Sequence, residues 1–254
     1  MAMIDSPFTV GRRGTAYGRK IRDCGHLNPR GFSPLSTLFL VFLLGAFVIL
    51  PATAAQGWMF RADPAHTGIY DDSGCQPADK VIWSYDTTGE VTSSPAVVGG
   101  VVYVGSNDRY VYALNAVTGE KIWSTYTNGE VRSSPAVADG VVYVGSNDRY
   151  VYALNAVTGE KIWSTYTNGE VMSSPAVVDG LVYVGSKDRY VYALNATTGE
   201  KIWSTYTNGE VTSSPAVVDG LVYVGSNDWY VYALNATTGE KIWSTYTNGE
   251  VTSS

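Results

Sequence analysis

From residue 84 onward, hydrophobic positions come in short alternating runs separated by polar turns, with no helical stripe long enough to cover a helix face. In a representative stretch the runs are Pro135-Ala136-Val137, Val141-Val142-Tyr143-Val144, Tyr150-Val151-Tyr152-Ala153-Leu154 and Lys161-Ile162-Trp163-Ser164-Thr165-Tyr166. β-branched and aromatic residues in runs of this length predict four short strands. Asp139-Gly140 lies between the first two runs, and the same pair recurs at Asp179-Gly180 and Asp219-Gly220. Such pairs supply the positive φ angles of a tight type I′ hairpin turn. Ser146-Asn147-Asp148 separates the second run from the third, the segment from Asn155 to Glu160 separates the third from the fourth, and Asn168-Gly169 leads onward. Connections this short place successive strands side by side and antiparallel.

The pattern repeats every 40 residues, as Val91, Val131, Val171, Val211 and Val251 and the series Trp83, Trp123, Trp163, Trp203 and Trp243 show. Four-stranded units of about 40 residues predict the blades of an all-β propeller rather than a helical solenoid. One blade cannot bury both of its faces, so its stability has to come from stacking on its neighbours. Residues 84–254 are therefore expected to form tandem blades. Val81–Tyr85 supplies an initial strand of the fourth-strand type, and Val251–Ser254 opens a further unit. These pieces do not divide into a closed ring, so the chain is expected to be an incomplete ring, either a fragment or one member of a blade-sharing homo-oligomer.

The segment Ala113-Leu114-Asn115-Ala116-Val117-Thr118-Gly119-Glu120-Lys121-Ile122-Trp123, which returns from Ala153, Ala193 and Ala233, resembles the tryptophan-docking motif of PQQ-like, or quinoprotein-type, β-propeller repeats. Asn115, Asn155, Asn195 and Asn235 stand where that family has aspartate; both side chains can accept a local backbone hydrogen bond. The resemblance implies structural docking by Ala113 and Trp123, Ala153 and Trp163, Ala193 and Trp203, and Ala233 and Trp243, with each tryptophan set against the next blade. A buried indole N–H needs an acceptor, and a backbone carbonyl is the expected one. Trp58-Met59-Phe60 and Pro64-Ala65-His66-Thr67-Gly68 resemble the lead-in before such propellers, so the likeness runs over residues 57–254.

The first 55 residues differ in kind. Arg12, Arg13, Arg19, Lys20, Arg22 and Arg30 precede the apolar run Leu38–Leu50, and Pro51-Ala52-Thr53-Ala54-Ala55 follows it. This reads as an export signal cleaved after Ala54 or Ala55, or as a retained N-terminal membrane anchor, with residues 56–83 as propeller lead-in and initial strand. Basic residues before the apolar run place the blades outside the cytoplasm, secreted or membrane-anchored. Cys24 and Cys75 flank that run and imply no disulfide framework. From Gln56 onward there are eleven Lys or Arg against twenty-one Asp or Glu, a formal charge of minus ten. Such a surface repels phosphate backbones, which excludes nucleic acid as a partner and disfavours anionic membrane as a partner for the blades.

PQQ-dependent dehydrogenases, as the resemblance implies, hold calcium and the quinone at one site on the propeller axis. One cofactor needs its own ligands, stacking face and base, hence asymmetry. Near-identical blades offer little of it, the chain has no adjacent cysteine pair, and His66 is the sole histidine after the apolar run. No cofactor is expected on the main reading; PQQ with calcium belongs to the alternative of an alcohol or sugar dehydrogenase. Asp108, Asp148, Asp188 and Asp228 read first as turn-stabilising residues. They also belong to a candidate partner-binding rim with Arg109, Arg149, Arg189 and the residues that break the repeat, Lys187 and Trp229. The sequence thus reads as a noncatalytic extracytoplasmic binding or assembly scaffold for a protein or cell-surface polymer, with a carbohydrate-binding or adhesion module as the other alternative.

Overall fold

The computed structural model describes residues 8–11, 15–21 and 77–252, with side chains from residue 81 onward. The lead-in residues Trp58–Gly68, with His66, together with Cys24, Cys75 and the apolar run Leu38–Leu50, lie outside the described residues.

Three strands come first: β1 (Phe8–Gly11), β2 (Thr15–Ile21) and β3 (Pro77–Asp86). Four blades follow. The first blade is β4 (Ala96–Val98), β5 (Val101–Gly105), β6 (Tyr110–Asn115) and β7 (Lys121–Tyr126). The second is β8 (Ala136–Ala138), β9 (Val141–Gly145), β10 (Tyr150–Asn155) and β11 (Lys161–Tyr166). The third is β12 (Ala176–Val178), β13 (Leu181–Gly185), β14 (Tyr190–Asn195) and β15 (Lys201–Tyr206). The fourth is β16 (Ala216–Val218), β17 (Leu221–Ser226), β18 (Tyr230–Asn235) and β19 (Lys241–Tyr246). Each blade is a four-stranded antiparallel meander in sequence order, and the four form an open propeller array.

The expected hairpin chemistry is present: Asp139 and Gly140 have φ of 50° and 75°, both left-handed, as a type I′ turn requires. Because the 1–2 hairpin and the 3–4 connection share one end of every blade, Ala156 N–H reaches the Gly140 carbonyl at 2.9 Å. The 2–3 loop and the link from one blade to the next share the other end, where Asn147 N–H donates to the Glu130 carbonyl at 2.9 Å.

The core lies between blades. Ala96, Tyr103, Val111, Ala113 and Trp123 of the first blade pack against Val137, Val142, Val144, Tyr152 and Leu154 of the second, and the same partnership recurs between the second and third and between the third and fourth. In register, Ala153 stands opposite Tyr143 on one side and Trp163 on the other. Its methyl leaves room for the two rings to meet over it, with centroids 5.9 Å apart. The docking alanine therefore permits close approach within its own sheet, between tyrosine and tryptophan, and the blade-to-blade contact is made by those rings. Trp163 Nε1–H and Tyr143 O–H both donate to the Ala196 carbonyl of the next blade, at 2.9 and 3.1 Å. Trp123 and Trp203 repeat the bond to Ala156 and Ala236. Trp243, in the last described blade, is instead 42% exposed.

Near the innermost strands a second set of bonds links blades: the backbone N–H groups of Ser94, Ser134 and Ser174 donate to the hydroxyls of Ser134, Ser174 and Ser214. At the other end of the chain order, β2 pairs with β3, with Gly18 opposite Trp83, so residues of the basic N-terminal segment take the place that a blade's third strand takes beside its fourth.

Candidate functional site

The end of the blades that carries the 2–3 loops gathers every rim residue singled out from the sequence. Each loop is held by its aspartate. Asp148 Oδ1 accepts from Tyr150 N–H at 3.0 Å, while Oδ2 accepts from the Tyr152 hydroxyl at 2.6 Å and from Asn128 N–H, on the link arriving from the first blade, at 2.9 Å. Asp108, Asp188 and Asp228 repeat the arrangement. These carboxylates clamp one blade's loop to the incoming link. Burial first, and then the bond to Asp148, raises the Tyr152 phenol above its ordinary pKa, and the same two causes act on Tyr112, Tyr192 and Tyr232. The phenol therefore stays a donor throughout the physiological range.

Arg109, Arg149 and Arg189 follow the aspartates with φ of 75°, a left-handed conformation uncommon for a residue with a side chain. It turns the main chain so that the Arg149 carbonyl accepts from both Thr167 N–H and Thr167 Oγ1, and it sends the guanidinium outward to the Tyr166 hydroxyl at 3.5 Å. Trp229 holds the same conformation at φ 74°, is 44% exposed, and lies against Tyr246 with ring centroids 6.0 Å apart. Lys187 forms an ion pair with Glu170 at 2.7 Å.

A groove of about 510 Å³ opens on this end across the first three blades, lined by Arg109, Glu130, Arg132, Asn147, Met172 and Lys187 among others. Arg109 and Lys187 are among the candidate rim residues expected from the sequence. Arg132 and Met172 were not singled out, although comparing the copies column by column marks them: the position two residues into each copy reads Thr92, Arg132, Met172, Thr212. Arg149, Arg189, Asp228 and Trp229 do not line this groove.

Among the described residues no three His, Cys, Asp or Glu side chains come together to hold a metal. The rim aspartates are each taken up by two backbone N–H groups and a phenol. The loop-end carboxylates thus already serve as structural hydrogen-bond acceptors. What the loop end offers is a polar surface with hydrogen-bonding amides and cations on rigid loops.

The outer membrane protein assembly factor BamB family matches residues 74–175 and 168–253. No curated protein matches the chain. Among solved structures, BamB from Moraxella catarrhalis is 21% identical with a TM-score of 0.60, over 66% of this chain and 56% of that one. Quinohemoprotein alcohol dehydrogenase from Comamonas testosteroni is 22% identical with a TM-score of 0.65, over 78% and 42%. Quinohemoprotein alcohol dehydrogenase ADHIIG from Pseudomonas putida HK5 is 25% identical with a TM-score of 0.59, over 65% and 35%. The chain thus spans between about a third and a little over half of these proteins, which share its fold and divide between an assembly factor and enzymes.

Proposed function

The chain belongs to the BamB assembly-factor family, and on that premise we propose that it is a noncatalytic extracytoplasmic scaffold that binds a protein partner through the loop end of its blades. The observation that carries this reading is where the copies differ. From Val91 to Glu250 they diverge at seven of forty positions. The three columns on the loop end exchange threonine for Arg132 or Met172, asparagine for Lys187, and arginine for Trp229. Of the four columns at the opposite end, three exchange only Val for Ala, Val for Leu and Val for Thr. A rigid clamp under changeable side chains suits recognition, because binding residues are best held on loops fixed by a scaffold. The name of the family supports a protein partner and an extracytoplasmic, membrane-associated place, and the basic leader before Leu38–Leu50 supports export.

A second reading is a PQQ-dependent alcohol dehydrogenase, and likeness to the Comamonas testosteroni enzyme over 78% of this chain favours it. The near-identity of the rim loops and the engagement of their aspartates weigh toward the scaffold.

Site-specific photocrosslinking in the cell envelope tests the reading. A crosslinker placed at Arg149 on the loop end is expected to capture a discrete protein, and one at Asp179 on the hairpin end is expected to capture none. Equal labelling from both ends, or none from either, would overturn a loop-end scaffold.

A further inference from the structure

Two of the columns that vary on the loop end lie fifteen residues apart, and in the first and fourth copies their side chains are hydrogen-bonded. Where the link carries threonine, its hydroxyl makes a long hydrogen bond to the loop asparagine: Thr92 to Asn107 Oδ1 at 3.4 Å and Thr212 to Asn227 Oδ1 at 3.5 Å. In the second blade Arg132 replaces threonine and turns to Glu130 at 2.7 Å. Asn147 then keeps a bond from Nδ2 to Glu130 Oε2 at 3.4 Å, while its Oδ1 is buried with no donor. In the third blade Met172 cannot donate, and Lys187 replaces the asparagine and turns to Glu170. Of these, Asn107, Arg132, Asn147, Met172 and Lys187, with the two glutamates, line the groove of about 510 Å³, whereas Thr92, Thr212 and Asn227 do not; its size is within the range of ligand sites. An orphaned buried acceptor destabilises a fold, and two of the four copies show that one threonine supplies its donor.

We propose that this groove is the recognition site of the scaffold and that it takes an extended acidic peptide segment with an apolar side chain beside the acid. The inference rests on the scaffold reading above. A peptide supplies each thing the groove lacks. Its backbone N–H satisfies Asn147 Oδ1 once the half-exposed Arg132–Glu130 pair gives way, and such surface pairs rearrange at little cost. Its carboxylate meets Arg109, whose guanidinium makes a long hydrogen bond to the Tyr126 hydroxyl at 3.5 Å, together with Arg132 and Lys187. Its apolar side chain covers Met172, a flexible and adaptable contact. The chain from Gln56 onward carries minus ten overall, so a long polyanion is repelled beyond the groove, whereas a short acidic segment meets a lining that sets Arg109, Arg132 and Lys187 against Glu130 and Glu170 and is positive by one.

The test uses the purified chain and a triple variant, R132T/M172T/K187N, which places in the groove the residues other copies already hold in the same columns. Retained circular dichroism verifies folding. The probe is a fluorescein-labelled hexapeptide of alternating Glu and Leu, followed by anisotropy, with the Gln–Leu hexapeptide and polygalacturonate as comparisons. K161N/K201N, on the opposite end of the blades, removes the same charge. The Glu–Leu peptide is expected to bind the parent chain and K161N/K201N alike, and the triple variant about tenfold or more weakly, as expected for losing a charge-assisted contact. Equal weakening in both variants, no weakening in the triple variant, preference for polygalacturonate, or no peptide binding would each overturn the proposal. Crosslinks from Arg149 that persist in the triple variant would leave the scaffold reading standing while the groove falls.

Discussion

Tyr143 and Trp163, on the second and fourth strands of one blade, meet across Ala153 with ring centroids 5.9 Å apart and share one acceptor, the Ala196 carbonyl of the next blade. Each ring therefore serves both its own sheet and the joint to its neighbour. Trp163→Ala is expected to cost about 3–5 kcal/mol, from lost packing, a cavity and a freed carbonyl. Trp243→Ala, at a site 42% exposed where Trp163 is 9% exposed, is expected to cost well under half of that. Denaturant unfolding of the two variants gives the comparison; equal losses would show that the interblade joint is not where the tryptophan acts.

Gly159 supports the Trp123 ring from the adjoining blade. It has φ of 73°, and a Cβ there would stand 2.7 Å from Trp123 Cδ2. Gly159→Ala therefore combines a left-handed backbone with a steric clash, and we expect a loss of about 2–4 kcal/mol. Gly140, with φ of 75° but open space around its Cβ position, separates the two causes: Gly140→Ala is expected to cost only the conformational part, about 1 kcal/mol. Matching thermal melts for the two alanine variants would contradict the packing role.

The repeat and the hairpin turns were legible because each leaves a residue type at a fixed spacing; the alanine–tryptophan docking was implied by the resemblance to PQQ-like repeats. The Asn115 side chain also does what its chemistry suggests, accepting from Val117 N–H and Thr118 N–H at 2.8 and 2.9 Å. The carbonyls of Ala156 and Ala196 were not legible as the tryptophan acceptors, since every residue has a carbonyl and only the stacking of blades selects one. The pair Thr92–Asn107 was hidden for a different reason: it joins two loops, and neither partner is unusual until the copies are compared. Pairing of β2 with β3 escaped because Tyr17-Gly18-Arg19 lacks the apolar alternation of Tyr112-Ala113-Leu114.

Raised phenol pKa values set an alkaline limit on stability. Burial, and less so Asp179, pushes Tyr183 up to about 12, and Tyr152 is raised by burial and by Asp148. A group whose folded pKa exceeds its unfolded value of about 10 contributes its full stability below that pH and loses it as pH rises toward the folded value. The denaturant midpoint is expected to hold level to about pH 9 and then to fall. Tyr152→Phe is expected to lower stability by about 1–3 kcal/mol at neutral pH, through loss of its bond to the carboxylate, and to flatten the alkaline fall. A midpoint that stays level through pH 11 would contradict this.

Strand β2 and strand β3 lie on either side of Leu38–Leu50 in the chain. A bilayer core of about 30 Å cannot separate two hydrogen-bonded strands, so this pairing and a membrane-crossing Leu38–Leu50 exclude each other in one chain. N-terminal sequencing of exported material is expected to find a start near Gln56, which frees the edge of β3. Exported chains that retain residues 8–21 paired to β3 would show that Leu38–Leu50 does not cross.

Catalysis is tested most directly by incubating the purified chain with PQQ and calcium and following reduction of an artificial electron acceptor over a panel of alcohols and sugars. A scaffold leaves the acceptor at the level of chain-free controls for every substrate. Sustained turnover that scales with the amount of chain would contradict the scaffold reading and establish the dehydrogenase.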